Sequence, residues 1–468
     1  MNIIVGYNLY FCIKKDILTM QKTIKLWMLL VIALSIVSCA DNSDNPVANT
    51  SLEEALTSTG LFSGIKENPD KEAMEKKKKG NLDYLSQYSM FIEQPVNHNQ
   101  PDADNFKQKV SILFRGFDRP TIMVTEGYNW SKFFDAEDIG INLKANMVHV
   151  EHRNFGESFN QDKGKWEYET SAQASADLHA VYQALKPIFK GKWMSFGTSK
   201  NGETSMDYAY YYPGDMDLAA AFCSPFILSL DDKRFGEYLF NKVSTEEVRD
   251  YMAECIRSAF ENGEEGVYKK VCEAFKKKNL PVPSFTEYVY NVFDTFFTLF
   301  QYTPPSMHKK IIEAIVTEES PFVAAVSDNI ANFRDETVYT YFVDCAKEQG
   351  FPNPVHNDFA DLLEGTSFKA EDMLLSRLHD EDRWLVKYYD NSVRTDMYKN
   401  FFVNSTVPLL FYYTKDDPWS AGKPEKIGPN AKMIINPIGV HSPKINDPAY
   451  CPADVKQEVM DYIRTYIY

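Results

Sequence analysis

Eight short apolar segments, separated by polar turns or helix-like stretches, constrain the fold of this chain more than any other feature. Each has the length and the β-branched or aromatic content of a strand: YSMFIEQPV, VSILFRG, TIMVTEG, MVHVEHR, KWMSFGT, LAAAFCSPF, VPLLFYYT and KMIINPI. Between the fourth and fifth, Leu178, Val181, Tyr182 and Leu185 fall on one helical face. This alternation predicts an α/β fold with a mostly parallel eight-stranded sheet, in which the first two strands form an antiparallel edge.

A long helical stretch interrupts the alternation between residues 226 and 404. It predicts an insertion between strands six and seven, and in this architecture an insertion there lies above the carboxyl ends of the strands, where ligands bind. We therefore expect a catalytic domain over 85–226 and 403–468 and a helical cap over 227–402. The aromatic run from Phe285 to Tyr302 predicts the core of the cap, with a substrate wall as the alternative.

A serine lies at the corner between the fifth strand and the helix that follows it. In GTSKNG, Gly197 and Gly202 flank a tight turn around Ser199, and Pro213 ends the helix. This pattern is typical of a nucleophile elbow, although Asn201 replaces the second glycine of G-x-S-x-G. The amide of Lys200, at the helix amino-terminus, is a predicted oxyanion donor.

A serine nucleophile requires a histidine base that is oriented by a carboxylate, and hydrolases of this kind have the order Ser, acid, His. The seventh strand leads into KDDPWSAG, from which we select Asp417, with Asp416 as the competitor. His441 follows the eighth strand, ahead of a final helix. In the loop after the third strand, Gly127 and the Tyr128 amide are predicted to complete the oxyanion hole, although a simple turn glycine is an alternative.

The amino-terminal residues predict export. Lys22 and Lys25 precede a short apolar run that ends at Cys39, as in a bacterial lipoprotein signal, and Met20 is an alternative start. We expect residues 1–39 to be a signal peptide, Cys39 to carry lipid in the cell envelope, and residues 40–84 to be a polar tether. An ordinary cleavable signal is the alternative.

Charge and cysteine content exclude several classes of function. Removing the signal changes the formal charge from −16 to about −19, which is unsuited to nucleic-acid binding. The chain has no CxxC pair to suggest a metal or redox centre, and we expect neither a metal nor a cofactor. Cys255 and Cys272 are the candidate disulfide, with buried free thiols as the favoured alternative.

Six motifs together resemble the secreted tripeptidyl aminopeptidase family of serine peptidases, itself similar to lysosomal Pro-Xaa carboxypeptidase and related dipeptidyl peptidases. They are QPVNHNQPDADNFKQKV, TEGYNW, VEHRNFGES, SADLHAVYQALKPIFKGKW, GTSKNGETSMDYAYYYPGDMD and DPWSAG. The resemblance covers roughly residues 85–226 and 403–445 and departs from the family at Asn201 and HNQP. It implies an α/β-hydrolase core with a helical cap, cleavage near proline-containing peptide ends, and no cofactor.

The combined prediction is a serine exopeptidase that releases short, tripeptide-type fragments from peptide amino ends. Such an enzyme needs a carboxylate for the substrate ammonium, and the candidates are Glu126, Glu151 and Glu203. Arg153 is a further candidate substrate contact, although an ion-pair network behind the elbow is the first interpretation of the motif that contains Glu151 and Arg153. The alternatives of other classes are a carboxylesterase or lipase of the same fold and an inactive surface binding protein.

Overall fold

The computed structural model describes residues 51–67, 84–129, 134–159, 166–316, 319–442 and 444–468. Residues 56–468 form one compact unit, and of the other unit, residues 1–55, only 51–55 are described. The predicted signal peptide and Cys39 lie outside the described residues. Within those ranges no helix is both long and apolar enough to cross a membrane.

One nine-stranded sheet organises the compact unit, in the order β1-β2-β3-β5-β4-β6-β7-β8-β9. Pairing is antiparallel from β1 to β3 and between β3 and β5, and parallel across the rest. The strands are β1 Phe62–Glu67, β2 Ser86–Pro95, β3 Asn105–Phe114, β4 Thr121–Thr125, β5 Asn146–Val150, β6 Trp193–Thr198, β7 Leu218–Phe222, β8 Leu409–Thr414 and β9 Ala431–Asn436. The α/β-hydrolase prediction, with its antiparallel edge, is confirmed.

The strand count is corrected from eight to nine, because β1 lies inside the predicted tether. Phe62 pairs with Ile92 of β2, and the register shifts between Ser63 and Lys66, where Gly64 has a φ of 60°. Only Phe62 among the six residues of β1 is buried, so the segment lacks the alternation that marked the other strands. The tether prediction is therefore wrong for the helix and strand that occupy residues 52–67.

Helices cover the sheet and fill the long connection between β7 and β8. The helices within the described residues are α1 Leu52–Ser58, α2 Phe134–Leu143, α3 Ser171–Leu185, α4 Lys200–Tyr211, α5 Arg234–Asn241, α6 Glu246–Phe260, α7 Val267–Lys277, α8 Phe285–Tyr302, α9 His308–Val316, α10 Glu319–Phe333, α11 Tyr339–Asp344, α12 Ala360–Leu363, α13 Asp372–Leu375, α14 Ser392–Asp396, α15 Phe402–Asn404 and α16 Ala453–Ile467. With β1 counted, the insertion predicted between strands six and seven lies between β7 and β8.

The insertion has its own apolar core, centred on α8. Its side chains bury most of their apolar surface against α6, α7, α9 and α10, as the aromatic run predicted. Phe297 of α8 also packs against Trp419, just beyond β8, with the ring centroids 5.4 Å apart. The insertion is thereby seated against the loop that carries the predicted catalytic acid.

The five cysteines of the compact unit are buried and none of them forms a disulfide: Cys223, Cys255, Cys272, Cys345 and Cys451. The favoured alternative for Cys255 and Cys272 is therefore confirmed.

Candidate active site

The strand-to-helix corner holds Ser199 in an unusual backbone conformation. Its φ and ψ are 60° and −131°, in a region that costs a non-glycine residue energy and is found at functional corners. A Cβ at Gly197 would lie 2.1 Å from the Asn201 carbonyl oxygen, and one at Gly202 would lie 1.9 Å from Ser224 Oγ. Both positions require glycine, because strand and helix approach so closely that a side chain would collide.

The predicted acid and base are in contact. Nδ1 of His441 lies 2.7 Å from Oδ2 of Asp417, and both residues are buried. Asp417 also accepts a hydrogen bond from the Trp419 amide at 3.1 Å, which fixes its carboxylate. The competing Asp416 accepts from the Ser244 amide at 2.8 Å instead. The geometry favours Asp417 as the partner of His441, and the catalytic roles of Ser199, Asp417 and His441 stay predictions.

The insertion also contacts the loop that carries His441. The backbone amide of His441 donates to the carbonyl of Gln301 in α8 at 2.9 Å, and the side chain of the same glutamine accepts from the Trp419 indole. The position of the predicted base therefore depends on the insertion as well as on the sheet.

Asn201 connects the elbow to the loop that follows β4 and contains Gly127 and Tyr128. The sequence did not predict this connection. Oδ1 of Asn201 accepts from the Gly127 amide at 2.7 Å, and its Nδ2 donates to Glu126 at 2.7 Å. The Gly127 amide is thereby engaged, so it is not the donor beside Tyr128, and the role of Gly127 in letting a substrate carbonyl approach the backbone stays a prediction. A Cβ there would lie 2.7 Å from Lys200 Cγ. The amides of Lys200 and Tyr128 stay predicted donors, and Lys200 begins α4, where amides lack partners within the helix.

Glu126 is corrected from a substrate contact to a buried support of the same loop. It is 3% exposed, and its other oxygen lies 2.9 Å from Nδ1 of His149. Burial lowers the pKa of His149 to about 3, so the ring is neutral at pH 7. The position of Glu126 after a strand placed it correctly at the sheet edge but did not reveal the direction of its side chain.

Glu151 and Arg153 are likewise corrected from substrate contacts to structural groups. Glu151 accepts from both the amide and the hydroxyl of Ser158 at 2.8 Å. Arg153 donates to both oxygens of Asp177, at 2.7 and 2.8 Å, and is 3% exposed. The structural interpretation of this motif is therefore confirmed.

The side chain of Lys200 is buried and points toward the insertion. It is 1% exposed, its Nζ lies 3.0 Å from Oδ2 of Asp344 in α11, and the ammonium lies 5.6 Å from the Tyr128 ring centroid and 5.7 Å from that of Phe155. An ion pair and two aromatic faces offset the loss of hydration. The residue after the predicted nucleophile thus joins the elbow to the insertion.

A second ionic link joins α4 to the insertion. Arg394 of α14 donates to Glu203 at 2.6 Å and lies 3.5 Å from an oxygen of Asp207. Burial raises the pKa of Glu203 to about 7, although Arg394 opposes the shift, and burial also raises the pKa of Asp207. Glu203, a candidate for substrate recognition, is therefore engaged by a cation of the protein itself.

A small acidic cavity lies beside these links, between the sheet domain and the insertion. Its carboxylates are Glu169 and Asp207 from the sheet domain and Asp344 and Glu348 from the insertion. Burial raises the pKa values of Glu169, Asp207 and Glu348. Glu169 Oε1 and Asp207 Oδ1 have no hydrogen-bond partner within the described residues. The cavity therefore presents acceptors that a cationic group could satisfy.

Comparison with known proteins finds similarity to peptidases. Residues 70–302 match the family of PS-10 peptidases S37. A prolyl tri/tetrapeptidyl aminopeptidase from Streptomyces mobaraensis is 27% identical over 407 residues, which cover 82% of this chain and 80% of that protein. The chain is a serine peptidase related to family S37. The resemblance seen in the six motifs is thereby confirmed.

Solved structures with similar folds include a proline iminopeptidase from Mycobacterium smegmatis and a homoserine O-acetyltransferase from Staphylococcus aureus. The first is 14% identical, with a TM-score of 0.40, and the match covers 80% of the peptidase and 98% of that chain. The second is 10% identical, with a TM-score of 0.39, and the match covers 81% and 95%. At these scores the fold assignment rests on the sheet order of the peptidase itself.

Proposed function

We propose that this peptidase removes short fragments, of tripeptide type, from the free amino ends of peptides, with a preference related to proline. Ser199 is the proposed nucleophile, His441 the base, and Asp417 the group that orients the base. Attack by the serine oxygen forms an acyl-enzyme, and water then releases the fragment. The name of the Streptomyces relative supports the fragment length and the proline preference.

The proposal that the enzyme recognises the free amino end of its substrate rests on the acidic cavity. A substrate ammonium there would meet Glu169, Asp207, Asp344 and Glu348, with Lys200 and Arg394 as the opposing cations. Burial raises the pKa values of three of these carboxyls, so their ionised forms are disfavoured in the absence of a further cation. A bound ammonium would favour their ionised forms and complete the unsatisfied hydrogen bonds.

The length of α4 fits a short fragment. Thr204 and Asp207 line the cavity, about 7.5 and 12 Å along the helix axis from Ser199 at the usual rise of 1.5 Å per residue. Three extended residues span about 10 Å. A carbonyl at Ser199 and an ammonium at the cavity are thus separated by a distance that a tripeptide can bridge.

The test compares a proline-containing tripeptide anilide with its N-acetylated form. We expect acetylation to lower kcat/KM by at least about tenfold, because a charge-assisted bond contributes about 1.5–3 kcal/mol. Glu169→Gln should reduce this discrimination. Glu167→Gln, an exposed neighbour, is the matched control and should retain it. Equal cleavage of the free and acetylated substrates by the wild-type enzyme would overturn amino-end recognition.

Assays on short acyl esters separate the peptidase from an esterase of the same fold. We expect kcat/KM for the tripeptide anilide to exceed that for acyl esters that lack a peptide. The reverse order would favour the esterase alternative.

We also propose that Cys39 carries a lipid anchor that holds the mature enzyme in the bacterial cell envelope. The basic and apolar residues before Cys39 support this proposal. An envelope location suits a peptidase that acts on peptides from outside the cell.

A further inference from the structure

A third side chain lies beside the predicted acid and base. The Sγ of Cys223, a carboxylate oxygen of Asp417 and a ring nitrogen of His441 all lie within 4.8 Å of one another, and all three residues are buried. Cys223 directly follows β7, has a φ of 52°, and its amide donates to the Tyr412 carbonyl at 2.6 Å. Parallel pairing of β7 with β8 thus brings a thiol to the same sheet edge as the acid.

These donors match the preference of zinc. Zn²⁺ binds thiolate at about 2.3 Å and imidazole at about 2.0–2.1 Å, and tetrahedral angles then place neighbouring donors about 3.5 Å apart. Donors already within 4.8 Å need shifts of about 1 Å to surround one ion. Three protein ligands leave a fourth position for water, as in open zinc sites.

We propose that Cys223, Asp417 and His441 form a zinc site and that Zn²⁺ bound there inhibits the enzyme reversibly; the inhibition rests on the proposed peptidase function, whereas the binding does not. Coordination releases the proton of the Cys223 thiol. At one ring nitrogen of His441, zinc occupies the lone pair that accepts a proton from serine; at the other, it replaces the proton shared with Asp417. Either mode removes the imidazole as a base.

The experiment uses the purified full chain and two metal probes. Zn²⁺ in a metal buffer should inhibit cleavage of the anilide, and EDTA should restore it. Cys223→Ala should raise the Zn²⁺ concentration for half-inhibition by at least about tenfold, since one of three protein ligands is lost. Cys255→Ala, at another buried thiol, is the matched control and should leave that concentration unchanged.

Co²⁺ tests the site without relying on activity. A thiolate-to-cobalt charge-transfer band should appear in the wild type and in Cys255→Ala, and it should be absent from Cys223→Ala. Should Cys223→Ala fail to fold, Cys223→Ser provides the same comparison, because a hydroxyl is a far weaker ligand for these metals. Equal Zn²⁺ inhibition of wild type and Cys223→Ala, or no thiolate band in the wild type, would overturn the proposal.

Discussion

Lys200 Nζ and Asp344 Oδ2 lie 3.0 Å apart, with both side chains buried, and they join the residue after the predicted nucleophile to the last residue of α11. Each charge has lost most of its hydration, so each depends on the other. Removal of either partner leaves an uncompensated charge beside the elbow, whereas removal of both leaves none.

Lys200→Met should lower the free energy of unfolding by about 3–5 kcal/mol, because the Asp344 carboxylate then remains buried without its cation. Lys200→Met combined with Asp344→Asn should recover a large part of that loss. Denaturant unfolding of the single and double variants measures the coupling. Additive losses would show that the two side chains do not depend on each other.

Ser199→Ala should abolish hydrolysis and leave the melting temperature nearly unchanged. The hydroxyl of a partly exposed residue contributes little to the core, and alanine has the same backbone preference at this φ as serine. Turnover and thermal unfolding of the same sample give both quantities. Retained turnover would require another nucleophile.

Asp417→Asn should lower kcat by orders of magnitude, because an amide no longer orients and stabilises the His441 imidazole as a carboxylate does. Asp416→Asn is the matched control, since Asp416 lies next in the chain but accepts from the Ser244 amide. Steady-state kinetics on both variants tests the assignment. A larger loss in Asp416→Asn would reverse the choice of acid.

Glu203 predicts a pH dependence of stability. Its pKa in the folded protein is about 7, above its ordinary value of 4.5, so between these pH values the folded state holds a proton that the unfolded state has released. This contribution is fully present below pH 4.5 and is lost as the pH rises through 7, a change of about 3 kcal/mol.

As the pH rises from 4.5 to 7, the free energy of unfolding of the wild type should therefore fall relative to that of Glu203→Gln. Denaturant unfolding at several pH values measures the difference. Glu254→Gln, at an exposed helical carboxylate, should give a curve parallel to that of the wild type. A parallel curve for Glu203→Gln as well would contradict the raised pKa.

Cys39→Ala should move the protein from the membrane fraction to the soluble fraction, because the thiol is the proposed site of lipid attachment. Fractionation followed by immunoblotting measures the distribution, and Cys12→Ala provides a control at the other cysteine of this region. An unchanged distribution between the two fractions would contradict the lipid-anchor proposal.

The sequence predicted those parts of the fold that local apolar patterns encode. The eight expected strands and the helix Ala453–Ile467 are all present. They were predictable because their buried residues recur with a clear strand or helix period. The strand Phe62–Glu67 was missed because five of its six residues are not buried. Its formation depends on pairing with β2, which a local pattern does not contain.

The contact between Asp417 and His441 was predictable because chain order and strand ends restrict where an acid and a base can lie. The partners of Lys200, Asn201 and Glu126 were not, since each depends on which way a side chain points after its strand or turn. The burial of Lys200 was the hardest of these to predict, because its counter-ion, Asp344, lies in the insertion, far along the chain.

The insertion occupies a crossover between two adjacent parallel strands, β7 and β8. Such a crossover needs only about a dozen residues to return the chain to the start of the next strand. In evolutionary terms, every residue beyond that minimum could be gained, lost or replaced without altering the pairing of the sheet. Lineages could therefore change the choice of substrate by rewriting one connection, as long as the contacts of Gln301 with His441 and of Asp344 with Lys200 are kept.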